Sequence, residues 1–114
     1  MANNIAFQPM GKCYQLAANT ASQITTVTAD SPCNQYLLVN HENTTGQPVY
    51  VRISATSANA VLPVAGSPSY NFPVPPDSYM VITGPQCGPN TSVYVSYIAE
   101  LDSPDIYLVP GEGL

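Results

Sequence analysis

Val93-Tyr94-Val95-Ser96-Tyr97-Ile98-Ala99-Glu100 decides the fold class. Val93, Val95, Tyr97 and Ala99 alternate with Tyr94, Ser96, Ile98 and Glu100, which is the two-residue period of a half-buried β-strand. Val49, Val51 and Ile53 alternate in the same way with Tyr50, Arg52 and Ser54. Working outward, residues 12–17, 23–28, 35–40 and 78–83 are rich in β-branched or aromatic side chains and are bounded by turn formers, so each is expected as a strand. A shorter strand is expected at 106–109. No helix is expected, because 12 prolines and 7 glycines recur so often that few stretches could sustain several turns of helical pattern.

The connections follow from turn chemistry. Residues 40–48 read as a hairpin loop, with Gly46 free to take positive φ and Pro48 opening the next strand, so the flanking strands are expected to pair antiparallel. Residues 55–77 carry Pro63, Pro68, Pro73, Pro75 and Pro76 and form the longest irregular stretch, within which Tyr70-Asn71-Phe72 could be a short strand. Gly84-Pro85-Gln86-Cys87-Gly88-Pro89 reads as a turn, not a phosphate loop, since it lacks lysine. Six to eight short strands in 114 residues imply one all-β domain over residues 1–114, a two-sheet antiparallel sandwich of jelly-roll-like or immunoglobulin-like topology. The absence of Trp weighs against a true immunoglobulin domain.

Composition narrows the function. Charged residues are 8% of the chain, against about 25% in ordinary soluble domains. Ser, Thr, Asn and Gln contribute 10, 9, 9 and 6 residues in their place. A hydroxyl or amide surface costs less to desolvate than a charged one and suits a protein whose outside becomes an interface. The formal net charge is −5, with Lys12 and Arg52 the only strongly basic residues, which excludes nucleic-acid binding and anchoring to anionic lipid. No apolar run approaches the roughly 20 residues that span a bilayer. The opening residues lack the basic and apolar regions of a signal peptide, so export by that route is not expected.

No enzyme chemistry assembles. His41 is the one histidine, placed in a polar loop beside Glu42, and no nucleophile elbow accompanies it. Four of the seven acids, Glu100, Asp102, Asp105 and Glu112, crowd into the last fifteen residues and read as a solvated tail rather than a hydrolytic pair. Asp102 and Asp105 lack the glycine and glutamate of a calcium loop. Cys13, Cys33 and Cys87 show no CxxC spacing for zinc; they read as free thiols, with a Cys33–Cys87 bridge left open. Catalytic residues, metal ligands and cofactors are therefore not expected. Eight tyrosines leave a sugar-stacking platform as the main alternative of another class, a carbohydrate-binding module.

Three stretches carry a family resemblance: Ala2-Asn3-Asn4-Ile5-Ala6-Phe7-Gln8-Pro9-Met10-Gly11-Lys12, Pro48-Val49-Tyr50-Val51-Arg52-Ile53-Ser54 and Val109-Pro110-Gly111-Glu112-Gly113-Leu114. In them the chain resembles the small all-β virion proteins of tailed bacteriophages, especially capsid decoration (cement) proteins. The resemblance implies a sandwich that clamps capsid subunits as a homo-oligomer, without enzyme activity or cofactor. Its partner would be the major capsid protein or another virion protein, and its location the virion, after synthesis in the host cytoplasm. A head–tail adaptor or tail component is the nearest rival within that class. It transfers no individual residue. The ends themselves, short, apolar and proline-bearing, are expected to be extended arms at about 1–11 and 101–114. Ile5, Phe7 and Met10, and Ile106, Tyr107, Leu108 and Val109, are the expected interface residues. The second arm is expected to stay unordered until a partner buries it, since four carboxylates and no base surround its apolar run.

Overall fold

Nine strands account for most of the computed structural model, which describes residues 7–40, 48–57, 65–66, 69–100 and 105–113. They are β1 (Gln8–Pro9), β2 (Tyr14–Ala17), β3 (Gln23–Val27), β4 (Cys33–Asn40), β5 (Val49–Ser54), β6 (Phe72–Val74), β7 (Ser78–Cys87), β8 (Val93–Ala99) and β9 (Asp105–Glu112). The alternation at 49–54 and 93–99 is realised: Val49, Val51, Val93, Val95 and Ala99 point inward and are fully buried.

Two antiparallel sheets pack face to face. The first runs β7-β4-β9, with β1 and β2 lying end to end along the far edge of β9; the second runs β3-β8-β5-β6. The pairings β2–β9, β3–β8, β4–β7 and β5–β6 are those of one long hairpin rolled up on itself. That is jelly-roll topology, and it decides between the two sandwiches that pattern alone left open. Leu16, Val27, Tyr36, Leu38, Val74, Ile106 and Leu108, all with no exposed surface, join the inward residues of β5 and β8 in one cluster between the sheets.

Three expectations are corrected. The strands flanking residues 40–48 do not pair with each other: β4 lies in the first sheet and β5 in the second. Residues 41–47, His41 and Gly46 included, lie outside the described residues. Gly84–Cys87 is not a turn but the end of β7, and the reversal falls at Pro89–Asn90, closed by the Gly88 N–H donating to the Thr91 carbonyl at 2.9 Å. The short strand expected at 70–72 forms two residues later, as β6.

A further correction is larger than these three, and it leaves the strand expected at 106–109 standing. Residues 105–112 are not an arm but β9, paired to β4 on one side and to β1 and β2 on the other. Burying Ile106 and Leu108 contributes about 1.5–3 kcal/mol each, whereas repulsion among exposed carboxylates is screened within roughly 10 Å at ordinary salt. Burial wins. Pro110 is tolerated in this inner strand because of where it sits. Its carbonyl accepts the Met10 N–H at 2.9 Å, on the side where β1 hands over to β2. The missing proline N–H faces that same gap, so the β4–β9 ladder loses no bond. The N-terminal arm is likewise tied to its own chain over residues 8–9, as β1; residues 1–6 lie outside the described residues.

A thiol and phenol cluster lies in the core where β4 meets β7. The Cys33 and Cys87 sulfurs are 3.7 Å apart, and the Tyr36 hydroxyl donates to the Pro85 carbonyl. Burial, then the hydrogen bond with Cys87, pushes the Cys33 thiol from its ordinary 9.0 up to about 12, and burial raises the Tyr36 phenol as well. Both groups have raised values in the folded state, so their neutral forms stabilise the fold fully below the unfolded values, and that contribution disappears as pH climbs through the folded ones. The denaturant midpoint is therefore expected to fall from pH 9 towards 12, and less steeply in Cys33→Ala. A midpoint unchanged over that range would contradict the burial of these groups.

Candidate functional site: an uncharged outer sheet face

Strand geometry puts alternate residues of β4, β7 and β9 on the side away from the core. Register aligns them in rows: Tyr107 opposite Val39 opposite Tyr79, and Val109 opposite Leu37 opposite Val81. Tyr79 is 75% exposed and the other five are half-buried. None belongs to the inner cluster or packs against it. Six apolar side chains from three adjacent strands thus pave one surface.

Phe7 extends it. Gly111 occupies the outward position after Val109, and a Cβ there would overlap the Phe7 ring and the Gln8 carbonyl oxygen. The glycine is the space into which Phe7 lies, and it is buried for that reason. Gln15 and Thr83, both exposed, border the rows at β2 and β7. The strands of this sheet carry charge only at the two ends of β9, Asp105 and Glu112. Covering this face therefore desolvates apolar carbon and almost no charge.

The expected interface residues divide. Phe7, Tyr107 and Val109 lie on this face. Ile106 and Leu108 point inward with no exposed surface and are core residues, which corrects their assignment to an interface. Met10 packs against the core rather than outward, and Ile5 lies outside the described residues. Leu37, Val39, Tyr79 and Val81 were missed, although a signal was present. Tyr36-Leu37-Leu38-Val39 and Tyr79-Met80-Val81-Ile82 are continuous apolar runs rather than alternating ones, the mark of strands with apolar surroundings on both faces.

The second sheet is different on its outer side. Ile24, Thr26, Tyr50, Arg52, Ser54 and Tyr94 mix polar and apolar groups there, while Ser96 and Ile98 on the same side are buried. Because β6 covers β5 only from Val49 to Val51, residues 52–54 border an open groove of about 620 Å³ between the edges of the two sheets. Arg52, Ser54, Tyr70, Asn71, Phe72 and Thr83 line it, and the Arg52 guanidinium sits 5.4 Å from the Tyr70 ring centre. Tyr70 is 83% exposed.

Among the described residues no three His, Cys, Asp or Glu side chains converge as a metal-ligand set, and no helix is long and apolar enough to cross a membrane. The chain matches no protein-family model, and neither a curated protein nor a solved structure is significantly similar to it.

Proposed function

We propose that this protein is a structural component of a tailed-phage virion, a capsid decoration (cement) protein that stabilises the head by seating the outer face of its first sheet on capsid subunits. One observation carries the reading: an apolar outer face on a sheet whose strands hold no charged residue between the two ends of β9, in a chain with only two basic residues. Large exposed apolar patches mark interaction sites, and depletion of charge is the compositional signature of an interface core. The topology agrees by analogy, since jelly rolls recur in viral capsids, although fold alone does not assign a role. The partner is the major capsid protein or another virion protein, the protein acts as a homo-oligomer, and it performs no reaction. Mass spectrometry of purified particles tests this. Hundreds of copies per particle are expected. A dozen or fewer would move the role to a head–tail adaptor or tail component, and absence from particles would end the virion reading.

The groove supports a second reading of another class, a carbohydrate-binding module. Tyr70 offers an exposed ring braced by Arg52, with Asn71, Ser54 and Thr83 as hydrogen-bonding neighbours. Binding on a glycan array that disappears in Tyr70→Ala would favour it; background signal at millimolar sugar would remove it.

A further inference from the structure

β4 opens at Cys33 and β7 closes at Cys87, and the two residues are partners across the antiparallel ladder. Such partners have Cα atoms about 4.5–5.5 Å apart, inside the roughly 4.4–6.8 Å that a disulfide spans. The sulfurs already face each other at 3.7 Å, so a bond of about 2.05 Å needs an approach of under ~2 Å. A register shift between Cys33 and Gln35 sets this pair apart from the regular ladder and gives the backbone there local freedom to adjust. Both side chains are buried, at 3% and 0% exposure, while Cys13 is exposed.

We propose that Cys33 and Cys87 form a latent cross-strand disulfide site, which closes by exchange with a low-molecular-weight disulfide. One cysteine thiolate attacks a sulfur of the small disulfide, a mixed disulfide forms, and one small thiolate leaves and takes up a proton. The second cysteine thiolate attacks the protein sulfur of that mixed disulfide, the Cys33–Cys87 bond forms, and the second small thiolate leaves and is protonated. The protein thiols lose two electrons and two protons, and the small disulfide gains both as two thiols.

Access comes from the position of the pair. β7 is an edge strand, paired only to β4, and Cys87 is its last residue before the Gly88–Thr91 turn. Opening that end exposes the sulfurs without dismantling the second sheet. Because burial disfavours the Cys33 thiolate, exchange through that sulfur in the folded protein is slow near neutral pH and quickens towards alkaline pH. Once closed, the bond joins residues 54 apart in sequence, and long closures constrain the unfolded chain most. It also fixes to β4 the strand that carries Tyr79 and Val81.

The test uses the full chain with Cys13→Ser, which removes the exposed thiol. The protein is refolded from denaturant in a buffer of reduced and oxidised glutathione, with a parallel sample kept in reductant. The expected product is lighter by two hydrogens, resists alkylation and melts about 10 °C higher than the reduced sample. Adding Cys33→Ser should abolish all three changes. A refolded chain that keeps two alkylatable thiols, that ends as glutathione adducts, or whose disulfide lowers the melting temperature overturns the proposal.

Discussion

A chain ending at Leu101 is expected to show no cooperative unfolding transition. The truncation removes β9, which is paired along both edges, and strips from the core Ile106 and Leu108, neither of which has any exposed surface. Removing a buried Ile or Leu side chain costs about 2–5 kcal/mol, and a domain of this size holds roughly 5–15 kcal/mol in total. Losing two such residues together with three strand pairings exceeds that reserve. A gentler version is Leu108→Ala, expected to lower stability by about 3 kcal/mol in denaturant titration. If the truncated chain kept a sharp melt near that of the full protein, β9 would be peripheral and the arm expected from its acidic flanks would be restored.

The second large effect falls on association rather than on folding. Tyr79→Lys combined with Val81→Lys places two charges on the outer face without touching the core, because both side chains point away from the inner cluster. Lysine is common on natural edge strands, so the melting temperature is expected to change little. Attachment to capsids is expected to weaken by about 100-fold or more, since buried aromatic contacts at an interface centre are worth about 2 kcal/mol or more each and an unpaired charge adds its own desolvation cost. Copies per particle, counted by mass spectrometry, provide the readout. Tyr70→Ala is the control: it alters the groove and leaves attachment unchanged. Wild-type occupancy by the double-lysine protein would show that the first sheet is not the contact surface. Loss of occupancy in Tyr70→Ala would shift the contact to the groove.

Part of that surface was legible beforehand, for a reason that proved incorrect. Phe7, Tyr107 and Val109 belong to ends that read in the sequence as extended arms, yet they lie on the outer face because β1 and β9 pair as strands. Four acids near the C-terminus point to a solvated arm, whereas the alternation of Ile106 and Leu108 points to a strand with a buried face. Alternation was the better guide, since burial of two large side chains outweighs screened surface repulsion. Leu37, Val39, Tyr79 and Val81 are not legible as surface residues, because a continuous apolar run gives no indication of which of its two faces meets solvent.

The sequence by itself determined what depends on local chemistry and bulk composition. Alternation at 49–54 and 93–99 specified strands, proline and glycine excluded long helices, and two basic residues excluded the neutralisation of several phosphates. Tertiary structure alone decided which strands became neighbours. Nothing local separates β4 from β5 into different sheets, places β9 between β4 and the first two strands, or sets Cys33 opposite Cys87 across 54 positions of chain. Strand propensity belongs to a few consecutive residues, whereas pairing is selected by the burial of all inward faces at once. The surface left outside that burial is visible only after the chain has closed on itself.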